Sequence, residues 1–170
     1  MNTSAVTRTL FSPRGLFGLI AAASTGLILF ALYLQHVVGE HPCPLCITQR
    51  VFVIIVGLFA LAAAVHNPAQ TGRRLWSALV LLAAIAGGIV AGRHVWLQHL
   101  PEDQVPACGP GLAYMFENFP FQQAVQLLFM GDGNCAEIGW TFLGQSIPFW
   151  TLVAFIGFAA AALLQFFRKA

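Results

Sequence analysis

Four long stretches without a charged residue divide this chain of 170 residues. They lie between Arg14 and Glu40, between Arg50 and Arg73, from Leu75 to Gly92, and from Ile138 to Phe167. A membrane-spanning helix needs about 20 mostly apolar residues, so each stretch can supply one. Charged residues make up only 8% of the chain, against roughly 25% in a soluble domain. The chain is therefore predicted to be an integral membrane protein.

The spans are predicted at residues 15–37, 46–66, 75–97 and 147–167. Backbone N–H and C=O groups must be hydrogen-bonded internally in hydrocarbon, so the spans are expected to be α-helices. The predicted fold class is an all-α membrane protein, a four-helix transmembrane bundle that forms a single domain over residues 1–170. Small residues four positions apart are expected to let the helices pack closely. They are Gly18, Ala22 and Gly26, then Ala84, Gly88 and Gly92, and finally Gly157 and Ala161.

The charged residues are divided between the two ends of the predicted bundle. With four spans, the side that holds both termini carries six basic residues: Arg8, Arg14, Arg73, Arg74, Arg168 and Lys169. The positive-inside rule makes that side cytoplasmic. The other side carries all the acidic residues: Glu40, Glu102, Asp103, Glu117, Asp132 and Glu137. A net charge of +2 is too small to indicate nucleic-acid binding.

The outer side is formed by two loops, 38–45 and 98–146; three of the four cysteines lie in these loops, and Cys46 follows the first loop directly. Disulfides persist outside the cytoplasm, so two disulfides or a redox relay are expected there. The longer loop is predicted to carry a short helix that starts near Pro120. Phe121, Val125 and Leu128 would share one face of it, which favours a helix lying on the outer leaflet. The alternative is a helix packed on top of the bundle.

The first cysteine pair is Cys43 and Cys46, in the tetrapeptide CPLC. Such a pair can close and reopen a small disulfide ring. Cys46 falls at the N-terminus of the second span, where the helix dipole favours a thiolate. Zinc sites also use this spacing, but the outer location and the 26 residues between Cys108 and Cys135 argue against a Cys₄ zinc site. No metal is predicted.

The second pair, Cys108 and Cys135, taken alone would be read as a static disulfide that braces its loop. A second pair on the same side favours exchange instead, because neighbouring dithiols can pass a disulfide from one to the other. Arg50 lies one helical turn beyond Cys46, where it can stabilise an anion; the alternative is an arginine that reaches for the headgroups. His94, at the outer end of the third span, carries the same two interpretations.

With these residues, the chain resembles the bacterial disulfide bond formation protein B (DsbB) family of inner-membrane thiol:quinone oxidoreductases. The resemblance covers nearly the whole chain. It rests on the four spans, on Cys108 in its Pro-rich loop, and on three motifs: CPLCITQR (43–50), RHVWLQ (93–98) and GNCAEIGWTFLGQSIPFW (133–150).

The resemblance implies a protein-disulfide:quinone oxidoreductase that supports protein disulfide bond formation. Cys108 and Cys135 would reoxidise a soluble periplasmic thioredoxin-like thiol oxidase of the DsbA type, with Cys108 forming the mixed disulfide. Electrons would pass to Cys43 and Cys46, and from Cys46 to ubiquinone or menaquinone in the bilayer. Arg50 would be the main polar anchor of the quinone, and His94 a neighbouring one. The protein would be multi-pass in the bacterial inner membrane, with its active site facing the periplasm.

Three alternatives are considered, the first with the same chemistry and the other two from different classes. A quinone reductase of the vitamin-K-epoxide type also uses four spans and paired cysteines, but here the C-x-x-C opens the second span and does not close the last. A non-enzymatic scaffold would use its disulfides only to brace the loops. A metal transporter is disfavoured because no span carries a buried acidic residue or a His pair suited to an ion path. The cysteine pattern leaves open which disulfides are closed at rest.

Overall fold

The computed structural model of the protein describes residues 12–109, 114 and 117–168. Arg8 and Lys169, counted above among the basic residues, lie outside the described residues. Helix α1 runs over Pro13–Tyr33 and continues as a π-helical turn over Leu34–Val38. It is followed by α2 (Pro44–His66), α3 (Gln70–Leu97), α4 (Phe121–Met130) and α5 (Ile147–Phe167). Short 3₁₀ turns at Glu102–Gln104 and Gly133–Cys135 and a two-stranded hairpin complete the described elements.

The ends of the long helices follow from local sequence. The Ser12 hydroxyl accepts a hydrogen bond from the Gly15 N–H at 3.0 Å and caps α1, with Pro13 at the first helical position. Gly39 ends the π-helical turn in the left-handed conformation, with φ of 88°. Pro44 opens α2 with Cys43 at the N-cap position. The helix boundaries around the cysteines are thus set by proline and glycine.

Four helices are long and apolar enough to cross a membrane: Pro13–Val38, Pro44–His66, Gln70–Leu97 and Ile147–Phe167. The prediction of an all-α four-helix membrane protein is confirmed. Helix α3 begins before residue 75, where the apolar stretch starts, and includes Arg73 and Arg74. Arg74 is exposed and can reach the aqueous side, whereas the buried Arg73 donates a hydrogen bond to the Arg168 carbonyl.

The bundle packs α1 against α2, α2 against α3, and α3 against α5. Its core contains Phe17, Val56, Val80 and Phe155, each 1% exposed or less. Helices α1 and α5 contact each other much less than the other neighbouring pairs do. The fourth seam of the bundle is therefore the loosest.

The prediction about small residues is only partly right. A Cβ at Gly18, Gly26, Gly92 or Gly157 would meet no described atom within 4 Å, so these glycines do not mediate close packing. The close approach occurs instead at Gly87, where a Cβ would stand 2.3 Å from the Phe155 ring. Which small residue faces a neighbour depends on the rotation of each helix, and a four-residue spacing alone does not fix it.

The loop between α3 and α5 is attached to the bundle at the end of α4 and forms a hairpin before α5. The Thr48 hydroxyl donates to the Leu128 carbonyl at 2.9 Å, and Arg93 Nε donates to the Met130 carbonyl at 2.8 Å. These bonds hold the C-terminal end of α4 against α2 and α3. Further along, β1 (Thr141–Phe142) pairs antiparallel with β2 (Gln145–Ser146) immediately before α5. The predicted helix near Pro120 exists as α4, and its contact with the leaflet stays a prediction.

Candidate active site

Cys43 and Cys46 lie together at the start of α2. Cys43 is the N-cap residue and Cys46 belongs to the first helical turn, so their sulfurs come within 3.2 Å of each other. Both are half-buried thiols. The extended backbone of Cys43 (φ −73°, ψ 168°) followed by Pro44 turns the first sulfur back over the helix. This geometry lets the pair form and open a disulfide with little movement.

Cys135 meets Cys43 from the other loop. It ends the 3₁₀ turn Gly133–Cys135 and is completely buried. Hydrogen bonding to Cys135, and next to Cys46, raises the pKa of Cys43 well above the ordinary thiol value. The same bond from Cys43, supported by hydrogen bonds from the Asp132 and Leu45 backbones, lowers the pKa of Cys135. Cys43 is therefore the proton donor of this contact, and Cys135 is the group with thiolate character.

Cys108 is exposed, and its loop lies on the turn that carries Cys135. The Gly133 N–H donates to the Ala107 carbonyl at 3.2 Å. A Cβ at Gly133 would stand 2.5 Å from the Pro106 carbonyl oxygen and 3.1 Å from the Cys108 sulfur. The Cys108 loop can approach this closely only because residue 133 has no side chain.

His94 lies beneath the CPLC thiols and is 2% exposed. Its Nε2 is 3.7 Å from the Cys43 sulfur, and its Nδ1 is 2.9 Å from Nε2 of the buried Gln49 amide. With the amide donating to Nδ1, the imidazole proton stands on Nε2 and faces the thiols. The ligand atoms of Cys43, Cys46 and His94 lie within 4.8 Å of one another, a spacing that a soft cation such as zinc could also use when the thiols are reduced. The absence of a metal stays a prediction.

Arg50 is held by the first helix. Its guanidinium donates to the Gln35 side-chain oxygen and, at 3.3 Å, to the Ala31 carbonyl. Gln35 lies in the π-helical turn of α1, a local geometry that is frequent at functional sites. These two bonds leave the guanidinium on the wall of a cavity.

The cavity has a volume of about 620 Å³ and lies at the seam between α1 and α5. Cys46, Arg50 and His94 line it together with Cys43. Its apolar wall includes Leu27, Phe30, Leu34, Val53, Trp140, Phe142 and Trp150. Its size is that of a small-molecule site, and its polar lining includes Glu40, His41 and Glu137 in addition to Arg50 and His94.

The sequence model of the family described as Disulfide bond formation protein DsbB matches residues 13–165. The chain belongs to the DsbB family. The chain is 60% identical over 152 residues to Disulfide bond formation protein B of Saccharophagus degradans, covering 89% of this chain and 92% of that protein. It is 49% identical over 160 residues to the protein of the same name from Stutzerimonas stutzeri, covering 94% and 98%. Disulfide bond formation protein B 1 of Pseudomonas aeruginosa is 47% identical over 161 residues, covering 95% and 99%.

Membership in the DsbB family makes this chain a membrane protein of disulfide bond formation. Each of the six predicted site residues has a place in one arrangement. The cavity is lined by Cys43, Cys46, Arg50 and His94. Cys135 contacts Cys43 from the second loop, and the Cys108 loop lies on the Cys135 turn.

Sequence reasoning missed the residues that hold these groups, chiefly Gln35 and Gln49. Both are neutral, so charge patterning gave no sign of them, although Gln49 stands inside the CPLCITQR motif. A neutral amide in an apolar span is itself a signal, because it needs a hydrogen-bond partner there. That signal could have identified both.

Proposed function

We propose that this member of the DsbB family oxidises a periplasmic thioredoxin-like dithiol oxidase of the DsbA type and passes the electrons to a membrane quinone. The single observation that carries the proposal is the connection of the thiols. The Cys108 loop lies on the Cys135 turn, Cys135 contacts Cys43, and Cys43 contacts Cys46 at a cavity wall. The proposal places this end of the bundle in the periplasm, at the outer face of the bacterial inner membrane.

The first step is thiol–disulfide exchange at the exposed end. A thiolate of the partner attacks Cys108 in a Cys108–Cys135 disulfide, and Cys135 leaves as the thiolate. The partner's second thiolate then attacks its own sulfur in the mixed disulfide and releases Cys108. The partner is oxidised by two electrons, and the loop pair is reduced. The exposure of Cys108 and the burial of Cys135 support this order.

The second step transfers the disulfide between the pairs. The Cys135 thiolate attacks Cys43 in a Cys43–Cys46 disulfide, and Cys46 leaves as a thiolate at the N-terminus of α2, where helix N–H groups stabilise it. Cys108 then attacks Cys135, which restores the loop disulfide and releases Cys43. The contact of Cys135 with Cys43 supports its role as the attacking sulfur, and the hydrogen bonds from the Asp132 and Leu45 backbones that favour its thiolate do not depend on a proton on Cys43.

The last step would take place at the cavity. There Cys43 and Cys46 would close their disulfide again and give up two electrons, with a quinone held in the cavity as the acceptor of these electrons and of two protons from solution. Arg50 is the anchor for a quinone oxygen, because a fixed guanidinium stabilises the negative charge that develops on reduction. His94 directs its Nε2 proton toward the thiols, and this N–H is a second hydrogen-bond donor in addition to Arg50. The apolar wall suits the quinone ring and the isoprenoid tail of either ubiquinone or menaquinone.

The test is anaerobic reduction of a soluble quinone analogue by a reduced DsbA-type oxidase, with the purified full chain in detergent. We expect Cys46→Ala and Cys43→Ala to abolish quinone reduction, and Cys108→Ala to block formation of the mixed disulfide with the partner. Normal turnover by Cys46→Ala would contradict the scheme. A protein that forms no mixed disulfide and leaves the quinone spectrum unchanged would instead be the disulfide-braced scaffold.

Arg50 is tested separately. Arg50→Ala is expected to raise the KM for quinone by about tenfold or more, because one charge-assisted hydrogen bond contributes about 1.5–3 kcal/mol. Arg74→Ala, an exposed arginine at the other end of the bundle, is the matched control and should leave KM unchanged. An unchanged KM in Arg50→Ala would remove Arg50 from the quinone site.

A further inference from the structure

The hairpin before α5 contains a residue type that the backbone conformation of its turn does not favour. Thr141 pairs with Ser146 and Phe142 with Gln145, so the turn consists of Leu143 and Gly144 alone. Both have positive φ, 52° and 76°, as in a type I′ hairpin turn. Such turns favour Asn or Asp followed by Gly, because a larger L-residue is sterically strained in the left-handed region. Leucine at the first position therefore needs a compensating interaction.

No packing inside the described part of the chain supplies that compensation. Leu143 is 76% exposed at the tip of the hairpin, and its neighbour Phe142 is 50% exposed. In water, an exposed leucine at this position would cost backbone strain and gain nothing in return. An apolar surrounding would reverse that balance, since burial of apolar surface is favourable.

The position of the hairpin supports such a surrounding. The Trp140 ring packs edge-on against Phe30, with ring centroids 5.7 Å apart. Phe30 lies eight residues before Val38, the end of the first span, which is about 12 Å along a helix axis. The Phe142 carbonyl accepts a hydrogen bond from Trp150 Nε1 at 3.0 Å, and Trp150 belongs to the first turn of α5. The hairpin thus lies beside the ends of two spans and not above them.

The composition of the hairpin segment also fits a position at the depth of the span ends. No charged residue occurs from Ile138 to Phe167, so nothing in the hairpin resists transfer to the membrane interface. Trp140, Phe142 and Trp150 form a continuous aromatic group, with Phe142 between the two indoles at 6.1 and 5.8 Å. Tryptophan is enriched at the membrane–water interface because its ring is apolar and its N–H is polar.

We propose that the hairpin tip, Leu143, is a lipid anchor that inserts among the acyl chains of the leaflet at the cysteine-bearing end. The occupant of this surface is lipid, and the anchor fixes the loop that carries Cys135 at a constant depth relative to the bundle. The left-handed conformation of Leu143 directs an apolar side chain outward where a turn would normally present a polar one. The inference holds whether or not the chain reduces a quinone.

The test is site-specific photo-crosslinking in the full chain. Benzoylphenylalanine is introduced at position 143 and, as the matched control, at position 103, an exposed residue of the same loop. The protein is reconstituted in vesicles of phosphatidylethanolamine and phosphatidylglycerol and irradiated. We expect several-fold more lipid adduct at position 143 than at position 103. Equal yields at the two positions, or an adduct at position 143 that joins two copies of the chain, would overturn the proposal.

A second measurement uses variants that keep the turn. Leu143→Asn suits the left-handed conformation but removes the apolar group, whereas Leu143→Met keeps an apolar side chain. In the same vesicles, acrylamide should quench tryptophan fluorescence more strongly in Leu143→Asn than in the wild type, while Leu143→Met should match the wild type. Wild-type quenching in Leu143→Asn would refute the anchor.

Discussion

Cys43 is the residue at which the two cysteine pairs meet. It contacts Cys46 within its own motif and Cys135 in the other loop, and hydrogen bonds to both raise its pKa, that to Cys135 the more. A thiol that stays protonated is a poor nucleophile, but in a disulfide it is the sulfur that a neighbour attacks. In the proposed exchange, Cys43 is the attacked sulfur and Cys135 is the attacking one.

The first prediction concerns the proton that these two thiols share. In the double variant Cys46→Ala/Cys108→Ala, only Cys43 and Cys135 remain, and one thiolate should form at a pH below the usual thiol range. Adding Cys43→Ala removes the hydrogen-bond donor of Cys135, so the pKa of Cys135 should rise. Ultraviolet thiolate absorbance as a function of pH measures both titrations.

Cys43→Ser in the same background is the matched control, because its hydroxyl keeps a donor and should give an intermediate pKa. If the pKa of Cys135 is the same whether residue 43 is Cys or Ala, the contact with Cys43 does not set the pKa of Cys135.

The second prediction concerns Gly133. Gly133→Ala places a methyl group 2.5 Å from the Pro106 carbonyl oxygen, a distance that requires the Cys108 loop to move. We expect slower mixed-disulfide formation with the partner oxidase and slower reoxidation of the Cys108–Cys135 pair. Oxidation of the Cys43–Cys46 pair by added quinone should be unchanged, because Gly133 is not among the residues that line the cavity. Stopped-flow measurements of the two half-reactions separate these effects, and an equal loss in both would contradict the local explanation.

At the scale of elements, the loop helix α4 is attached to the bundle through its last turn. Thr48 and Arg93 donate to two of its C-terminal carbonyls, groups that have no partner within a helix of their own. Arg93 also lies over the Trp96 ring, with its guanidinium carbon 5.9 Å from the centroid. These contacts fix α4 next to the start of α2, and so next to the cysteines.

The third prediction follows from this attachment. Thr48→Val keeps the shape of the side chain but removes the bond to the Leu128 carbonyl, and should cost about 1 kcal/mol of local stability. Amide hydrogens near the end of α4 should then exchange faster by hydrogen–deuterium exchange mass spectrometry. Thr25→Val is the matched control, because Thr25 bonds only to the Ala21 carbonyl of its own helix. Faster exchange of α4 in both variants, or in neither, would argue against the role of Thr48.

At the scale of the whole molecule, all four cysteines lie at one end of a four-helix membrane bundle. The connections alternate between the two ends, so two loops on the same side can meet, and they do so at Cys43 and Cys135. The cavity occupies the seam between α1 and α5, where these helices contact each other least. Thiols and cavity are thus adjacent because of the bundle's connectivity and its loosest seam.

The fourth prediction tests which side of the membrane this end faces. In spheroplasts, a membrane-impermeant maleimide should label reduced Cys108 without permeabilisation. A cysteine introduced by Thr71→Cys, in the first turn of α3 at the opposite end, should be labelled only after permeabilisation. Peptide mass spectrometry identifies the labelled residue. The reverse pattern would invert the topology that the positive-inside rule predicts.

Much of the fold followed from the sequence because hydropathy and charge are sums over neighbouring residues. Four uncharged stretches gave the four long helices, and the second was predicted to begin at Cys46, two residues after the Pro44 at which α2 begins. The prediction about the small-residue rows was only partly right, because it depends on how each helix is rotated and not on a sum over neighbouring residues. A spacing of four is compatible with several rotations of a helix, and only the packing of α3 against α5 selects Gly87 over Gly92 as the contact.

The sequence by itself determined that thiols and an arginine stand at one end of a membrane bundle, since both facts depend on position along the chain. Only the tertiary structure decided that Cys135 meets Cys43, that Gln35 holds Arg50, and that Gln49 orients His94. Each of these pairs joins segments on different helices or loops. Their distances are set by how the helices rotate and cross, a property of packing that no local pattern contains.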